Sequence, residues 1–299
     1  MIPSPGLPSS GRERRCEEVL GTQAGEEPVL ARDGGHRRDL LRDYLLANGS
    51  ASLSELAQRF AVSVMTVHRD LAELERQAVV RRFRGGVTAQ PSAVFESNVA
   101  FRLKAMEAEK DAIAAHALRF IEPGMAVLLD DSTTCLALAR RLDAISPLTV
   151  VTNQLGSLLA LSHASDIRLI GLGGDYDPKY ASFVGLACVA AVSSLRVDIS
   201  FVSAYGVSGQ YAYHQEQEIV AGKRAMLACG ERRILLIDHS KLDRVALHQV
   251  CPLSSFDLVI VDDGAAAEPL LRLEEWKVRY ELAAMNADQS GRARSRAKH

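Results

Sequence analysis

Residues 62–71 read VSVMTVHRDL and combine a helix-capping residue with helical spacing of apolar side chains. Ser63 is a residue type that begins helices, because its hydroxyl accepts a hydrogen bond from a backbone amide in the first turn. Val67, Leu71 and Leu74 then recur at i, i+4 and i+7, so they share one face of a helix. The pattern predicts a short helix with an apolar inner face and a polar outer face.

The flanking residues predict two more helices and a hairpin. An apolar stripe within residues 40–45 predicts a first helix, and residues 52–55 read SLSE, a capping box that opens a second. Residues 79–88 predict two short strands that turn at Gly85 and Gly86. The order of elements is therefore three short helices followed by a hairpin.

This order is typical of the winged helix-turn-helix, whose third helix enters the major groove of DNA. Residues 37–90 carry nine arginines against six acidic residues, a net charge of +3, whereas the whole chain has a net charge of −2. We therefore predict a DNA-binding domain over residues 37–90. The alternative is that these arginines only solvate a polar surface.

The outer face of the third helix and the hairpin supply the predicted DNA contacts. Thr66, His68 and Arg69 can reach base edges or phosphates, and the arginines beyond them are better placed for phosphates. The predicted DNA-binding residues are Ser63, Met65, Thr66, His68, Arg69, Arg76, Arg81, Arg82 and Arg84.

Three segments of this region, residues 53–57, 62–71 and 82–87, resemble the DeoR family of bacterial transcriptional regulators. The sequence departs from the family pattern at three places. His68 stands where the family usually has Arg, Arg84 stands where it usually has His, and Gln77-Ala78 replaces the Gly that normally ends the helix. The resemblance implies a regulator that binds double-stranded operator DNA.

The composition excludes several classes of protein. Of the 299 residues, 47% are hydrophobic and 24% are charged, as in an ordinary globular protein large enough for two domains. No apolar run reaches the roughly 18 residues of a membrane helix, and the five cysteines form no C-x-x-C pair. We expect a cytoplasmic protein with reduced thiols and no membrane partner.

The two ends of the chain have a composition that does not favour folding. Residues 1–36 contain ten glycines and prolines, so we expect a disordered leader there. Residues 285–299 are predicted to form a flexible basic tail.

A second domain follows a linker and connecting helix at residues 91–124, with an amphipathic helix expected over residues 95–120. Across residues 125–284, apolar runs alternate with helical segments, which is typical of βαβ units and a mostly parallel sheet. The predicted fold class is therefore α/β, preceded by a winged helix-turn-helix. The predicted buried strands are residues 125–129, 148–151, 167–170, 199–202, 234–237 and 258–261.

Polar residues lie next to most of these strands. Residues 130–134, DDSTT, separate the first strand from a helix, where hydroxyls and free backbone amides can bind an anion. The alternative is a plain helix cap, because Ser, Thr and Asp are the usual capping residues. Because the carboxyl ends of parallel strands share one edge, we expect one rim to collect these groups. Besides residues 130–134, the polar segments next to predicted strands are Thr152-Asn153, Gly173-Gly174, Asp198 and residues 238–241.

Together these residues resemble the sensor domain of the same family, whose fold is similar to ribose-5-phosphate isomerase and CoA transferases. The resemblance implies that the domain binds a phosphorylated sugar effector. The candidate effector-binding residues are Asp130, Ser132, Thr133, Thr134, Thr152, Asn153, Gly173, Gly174, Asp198, Glu218, Lys223 and Lys241.

Two other kinds of site are weaker hypotheses. A metal site built from His239, His248 and Cys251 fits no compact ligand motif. A serine nucleophile needs G-x-S-x-G, and the GVSG run at residues 206–209 does not have this spacing. We predict no metal, no cofactor and no catalytic residue.

The leading hypothesis is a homo-oligomeric repressor of sugar metabolism genes, whose operator affinity changes when a phosphorylated sugar binds. The alternative is a sugar-phosphate isomerase with Asp130, Glu218, Lys223 or Lys241 as acid and base. The amino-terminal domain favours the regulator, because an isomerase does not need it. A regulator that has lost its ligand is a third hypothesis.

Overall fold

The computed structural model describes residues 34–48, 50–76, 79–89 and 99–285, which form two folded units. The predicted leader up to residue 33, the Gln77-Ala78 pair, residues 90–98 of the linker region and the tail from residue 286 lie outside the described residues. No helix within the described ranges is long and apolar enough to cross a membrane.

The amino-terminal unit contains the predicted three helices and hairpin. The first helix begins at Gly34, so it includes the last three residues of the predicted leader. A short strand that the sequence pattern does not predict pairs antiparallel with the hairpin and completes a three-stranded sheet. The elements are α1 (Gly34–Asn48), β1 (Ser50–Ser52), α2 (Leu53–Arg59), α3 (Val64–Arg76), β2 (Val80–Phe83) and β3 (Gly86–Ala89).

Local sequence signals set the ends of these elements. Oγ of Ser52 accepts a hydrogen bond from the Glu55 backbone amide at 3.1 Å, and the Glu55 carboxylate accepts one from the Ser52 amide, so the predicted capping box is confirmed. Ser63 caps α3, because its Oγ accepts a hydrogen bond from the Thr66 amide at 3.1 Å. At the hairpin turn Gly85 has a φ of +91°, which glycine adopts without strain.

The inner face of α3 lies in the core of this unit. The predicted apolar set, Val67, Leu71 and Leu74, is buried there. Asp70 is also buried, and its Oδ2 lies 2.7 Å from Nε of Arg37 on α1. The first and third helices are therefore joined by an ion pair as well as by apolar packing.

The prediction of one amphipathic helix over residues 95–120 is wrong. The described part contains two helices, α4 (Val99–Lys104) and α5 (Glu107–Ala117), and a 3₁₀ turn (Leu118–Phe120). The break falls at Met106, whose φ of +52° does not continue an α-helix. Nζ of Lys110 donates to the carbonyl oxygens of Arg102 and Ala105, which satisfies the end of α4.

The carboxy-terminal unit is built on a parallel sheet of seven strands. All six predicted strands are present. The seventh, at the edge of the sheet, reads YELA and has no apolar run that would have predicted it. In their order across the sheet, the strands are β15 (Tyr280–Ala283), β14 (Leu258–Asp262), β12 (Gly230–Ile237), β9 (Val197–Val202), β4 (Ala126–Leu129), β5 (Leu148–Thr152) and β6 (Ile167–Gly171).

Helices and small antiparallel sheets surround this central sheet. Two apolar clusters pack against it, one on each face. The helices are α6 (Thr133–Ala139), α7 (Leu155–Leu161), α8 (Gly185–Ser193), α9 (Gln217–Cys229) and α10 (Ala267–Glu275). The short strands are β7 (Asp175–Asp177), β8 (Ser182–Val184), β10 (Gly206–Ser208), β11 (Tyr211–His214) and β13 (His248–Pro252).

The chain changes direction across the sheet at β4. It runs from β4 through β5 to β6 on one side, and then crosses to β9 on the other side of β4. In open parallel sheets such a switch point leaves a crevice beyond the carboxyl ends of the two strands, and ligands bind there. In this chain those strand ends are Leu129 and Val202.

Three charged side chains are buried together beside this crevice. Nζ of Lys223, on α9, lies 2.5 Å from Oδ2 of Asp130 and 2.7 Å from Oδ1 of Asp131. The backbone amides of Ser132 and Ser203 also donate to Asp130, at 2.9 and 2.7 Å. Burial alone would lower the pKa of Lys223, but the two carboxylates raise it above its usual range. This ion cluster, formed by Asp130, Asp131 and Lys223, joins β4, the end of β9 and α9.

Replacing Lys223 with Met should destabilise the carboxy-terminal unit by about 3–5 kcal/mol, because two buried carboxylates then lose their counter-charge. Urea unfolding of the full chain measures this loss. Burial would raise the pKa of Asp131, but Lys223 holds it below its usual value, so the loss should shrink as the pH falls and Asp131 takes up a proton in the wild-type chain too.

Lys179→Met is the matched control, because the half-exposed Lys179 pairs with Glu216 at 2.6 Å. Its removal should cost less than about 1 kcal/mol. Equal losses in the two variants would show that the ion cluster does not hold the sheet edge together.

Candidate functional site

The outer face of α3 presents the predicted reading residues. Met65 and Arg69, four residues apart, are exposed, and His68 is half-buried. The hydroxyls of Ser63 and Thr66 are 2.9 Å apart and hydrogen-bonded to each other, so both also hold the start of the helix. Arg69 is therefore the charged side chain of α3 best placed to reach a base edge.

The structure separates the other predicted arginines into two groups. Arg81 and Arg84 are exposed on the hairpin. Nε of Arg82 lies 2.6 Å from Oε2 of Glu75, and Arg76 pairs with a glutamate one turn earlier. Phosphate contacts through Arg82 and Arg76 must compete with these ion pairs, which the sequence alone does not reveal.

A cavity of about 320 Å³ opens at the switch point of the sheet. Its walls come from α4 and the start of α5, the turn between β4 and α6, the segment after β9, and the 3₁₀ turn (His239–Lys241) after β12. This volume is in the usual range for small-molecule sites. The polar lining residues are Arg102, Lys110, Ser132, Thr133, Tyr180, Ser203, Tyr205, His214, Lys223, Asp238, Ser240, Lys241 and Arg244.

Positive charge predominates in this cavity. Among the described residues, the lining contains Arg102, Lys110, Lys241 and Arg244 besides Lys223, and its one acidic residue is Asp238. Burial lowers the pKa of Lys110 to about 8, and burial also lowers the pKa of Lys241. Burial disfavours the charged form of each ammonium, and a nearby anion would offset this effect.

Two further groups set the polarity of the cavity wall. Burial lowers the pKa of His214 to about 3, so this imidazole is neutral at physiological pH. Burial would raise the pKa of Asp238, but Lys241 and other neighbours lower it, so the carboxylate is ionised. Nζ of Lys241 lies 3.2 Å from Oγ of Ser203 and 3.8 Å from Oδ2 of Asp238.

Arg102 is a cavity residue that the sequence does not single out. Its guanidinium carbon lies 4.9 Å from the centre of the Tyr180 ring. Nε and Nη2 of Arg102 are shielded from solvent and have no hydrogen-bond acceptor among the described residues. A single Arg in an amphipathic segment carries no local signal, so only the packing of α4 over the crevice identifies it.

Four of the predicted effector residues, Ser132, Thr133, Lys223 and Lys241, line the cavity. Asp130 lies just behind it and is fully occupied by the ion cluster and by backbone amides. The others are held elsewhere near this edge. Asn153 and Glu218 line a separate small hollow. Thr152 accepts a hydrogen bond from the Gln154 amide, and Thr134 is buried in α6. Gly174 packs against the Val184 carbonyl.

The expectation that Asp198 shares this rim is wrong. Asp198 is the second residue of β9, and its Oδ2 accepts a hydrogen bond from the amide of Ala126, the first residue of β4, at 2.6 Å. It therefore lies at the amino ends of the strands, the opposite edge of the parallel sheet. The sequence pattern correctly placed Asp198 at the start of this strand, and the error was to group it with residues that follow strands.

The turn between β4 and α6 was predicted to be either an anion site or a plain helix cap, and its hydrogen bonds are those of a helix cap. Oγ of Ser132 accepts a hydrogen bond from the Cys135 amide at 3.0 Å, so Ser132 is an ordinary helix cap. Oγ1 of Thr133 donates to the carbonyl oxygen of Arg102 at 3.3 Å. The attraction for an anion therefore comes mainly from the buried cations rather than from the end of this seven-residue helix.

The geometry does not assemble the acid and base of an isomerase. The proton-bearing Nζ of Lys223 is held between two carboxylates, and Glu218 does not line the cavity. His239 pairs with Asp262, with Nδ1 and Oδ2 2.6 Å apart. In the described part of the chain no group of three or more His, Cys, Asp or Glu residues is arranged to hold a metal ion.

Comparison with family models assigns both units. Residues 37–93 match the DeoR-like helix-turn-helix domain, and residues 105–263 match the DeoR C terminal sensor domain. The predicted fold class, a winged helix-turn-helix before a mostly parallel α/β domain, is confirmed. The chain also aligns with ribose 5-phosphate isomerase A of Methanocaldococcus jannaschii over 46% of this chain and 55% of that one, with 16% identity and a TM-score of 0.34.

Relatives that align with most of this chain are regulators as well. The chain is 34% identical over 228 residues, 76% of its length and 89% of the relative's, to the uncharacterised HTH-type transcriptional regulator YgbI of Escherichia coli. It is 32% identical to the HTH-type transcriptional repressor GlcR of Bacillus subtilis, over 74% of this chain and 85% of GlcR. It is 30% identical to the glycerol-3-phosphate regulon repressor of Escherichia coli, over 82% and 98% of the two chains. The regulator hypothesis is thus confirmed over the isomerase alternative, and the chain belongs to the DeoR family of DNA-binding transcriptional regulators.

Proposed function

We propose that this regulator is a repressor of sugar metabolism genes whose operator affinity changes when a phosphorylated sugar occupies the cavity. The observation that carries the proposal is that cationic side chains outnumber acidic ones in the described lining of the cavity at the switch point of the sheet. A phosphate group would supply the missing counter-charge, and Asp238, Ser203 and Thr133 offer hydrogen-bonding groups for sugar hydroxyls. A relative named for a glycerol-3-phosphate regulon supports this ligand class.

The proposed mechanism is thermodynamic linkage between the two units. The sugar must bind one arrangement of the chain more tightly than another, and operator affinity then changes by the same coupling free energy, typically about 1–3 kcal/mol. We propose domains over residues 37–90 and 125–284, joined by residues 91–124. We also propose that the regulator acts in the cytoplasm as a homo-oligomer, because one small reading head recognises a half-site weakly.

Replacing Arg69 with Ala should weaken binding to operator DNA by about 1–3 kcal/mol and relax its sequence preference, because a major-groove Arg pairs with guanine. A mobility-shift assay compares an operator fragment, selected by the protein from random DNA, with a scrambled fragment. Arg84→Ala is the matched control and should weaken both fragments equally and lower the salt slope by about one. Equal weakening of both fragments by Arg69→Ala would make Arg69 a phosphate contact.

The double substitution Thr133→Ala with Lys241→Ala should abolish the response to the sugar while DNA binding survives. Both side chains line the cavity, so their loss removes ligand contacts without removing apolar core. Two lost contacts of this kind should lower ligand affinity by about a hundredfold or more. A thermal-shift screen of sugar phosphates identifies the ligand, and operator release then measures the response.

Asp198→Ala is the control for that experiment, because Asp198 lies at the opposite edge of the sheet. It should leave operator release unchanged at equal ligand concentration. If the double variant also releases DNA normally, the ligand binds elsewhere.

Ligand binding should weaken as the pH rises through about 8. Burial lowers the pKa of Lys110 to about 8, so above this pH its ammonium loses the proton and the attraction for an anion. A phosphate monoester is already dianionic above about pH 7, so the ligand does not change. The charged groups that act on Lys110 are Lys241, Asp238, Arg102 and Glu109.

Isothermal titration at about pH 7 and about pH 9 tests this dependence for the wild-type chain and for Lys110→Met. The variant should bind more weakly at the lower pH and lose less affinity between the two. A dissociation constant that is the same at both pH values would contradict the role given to Lys110.

A further inference from the structure

Helix α4 has contacts with both units of the chain. Phe101 packs against the apolar core of the DNA-binding unit, and one side of it also lines the cavity. Arg102, the next residue, lines the cavity of the sensor unit and lies over the Tyr180 ring. Two adjacent side chains of one short helix therefore connect the DNA-binding unit with the ligand cavity.

The backbone of α4 is held by groups that belong to the cavity. Nζ of Lys110 donates to the carbonyl oxygens of Arg102 and Ala105, and Oγ1 of Thr133 donates to the carbonyl oxygen of Arg102. Lys110 and Thr133 both line the cavity, so an anion there competes for the same donors. At the other end, the Val99 amide donates to the carbonyl of Lys179 at 2.9 Å.

The side chain of Arg102 lacks what an anion would provide. Its Nε and Nη2 are shielded from solvent and have no acceptor within the described ranges, although a guanidinium readily makes paired hydrogen bonds. A phosphate or carboxylate accepts two parallel hydrogen bonds from such a group. The guanidinium gains these bonds only while α4 keeps it inside the cavity.

We infer that α4 couples the cavity to the DNA-binding unit: Arg102 binds the anionic group of the effector, and Phe101 passes the resulting position of α4 to the DNA-binding unit. This inference rests on the proposed function and adds the element through which it is regulated. An anion that pairs with Arg102 stabilises one position of α4. Because Phe101 packs against the apolar core of the DNA-binding unit, that position of α4 favours one arrangement of the DNA-binding unit over another. Thermodynamic linkage requires such a preference if the anion is to change operator affinity.

The experiment uses the full chain, with inorganic phosphate as the probe and chloride at equal ionic strength as the reference. Thermal shift measures phosphate binding, and hydrogen exchange of peptides from α2 and α3 measures transmission to the DNA-binding unit. In the wild-type chain phosphate should raise Tm and change exchange in both helices. Arg102→Met, which keeps the aliphatic stem, should weaken phosphate binding by about tenfold or more.

Phe101→Ala separates transmission from binding. Because Phe101 also lines the cavity, the variant is compared at a phosphate concentration that saturates it by thermal shift, where it should show no phosphate-dependent change in α2 and α3. Phe101→Leu keeps an apolar contact and should transmit the change, which guards against misfolding of the Ala variant. Leu103→Ala, on the exposed side of the same helix, is the matched control and should behave as the wild-type chain.

Three results would overturn the inference. Wild-type phosphate affinity in Arg102→Met would show that the anion binds elsewhere in the cavity, and the proposed effector site would stand. Normal transmission in Phe101→Ala would show that α4 is not the coupling element. Absence of phosphate binding in the wild-type chain would overturn both the inference and the anion site of the proposed function.

Discussion

The buried ion cluster of Lys223 with Asp130 and Asp131 is the interaction on which the sensor unit depends. It lies where the chain switches direction across the sheet, and it joins α9 to β4 and to the end of β9. Each charge in it would be unfavourable alone in this position, because burial removes the water that solvates it. Together they are paired and further satisfied by backbone amides. The cluster therefore fixes the strand ends that form one wall of the cavity.

The same cluster determines what the cavity can bind. Its two carboxylates more than balance Lys223, and the described lining otherwise contains Arg102, Lys110, Lys241 and Arg244, with Asp238 as its one acidic residue. Because these cations are partly or fully removed from water, an anion interacts with them more strongly than it would at the protein surface. The fixed proton of Lys223 also makes this site poorly suited to proton transfer. The geometry thus favours recognition of an anionic ligand over catalysis on it.

The connecting segment relates this site to the DNA-binding unit. The left-handed residue Met106 ends α4 after Lys104 and starts α5 in a new direction, so α4 can lie over the cavity while its Phe101 packs against the winged helix core. If α4 and α5 formed one continuous helix, Arg102 would lie on the straight extension of α5. The break is therefore the local feature that places one side chain in each unit.

The sequence by itself determined the winged helix-turn-helix and six of the seven strands of the sheet. These features depend on short-range signals: the Ser52 capping box, the Ser63 cap, the spacing of Val67 and Leu71, the glycine at residue 85, and apolar runs long enough for buried strands. Ser132, Thr133 and Lys241 also line the cavity as predicted, because the turn after a parallel strand has a fixed place at the sheet edge. Lys223, the fourth predicted residue in the lining, is placed there by helix α9.

Only the tertiary structure decided the rest. The hydrogen bond of Asp198 to Ala126, the pairing of β1 with the hairpin and the entry of Arg102 into the cavity join residues far apart in the chain. The ion pair of Arg82 with Glu75 depends on how β2 packs against α3. Periodicity and capping report the conformation of neighbouring residues, whereas burial and pairing of a charge depend on which distant segment packs against it. For that reason the cavity's charge balance could be established only from the folded chain.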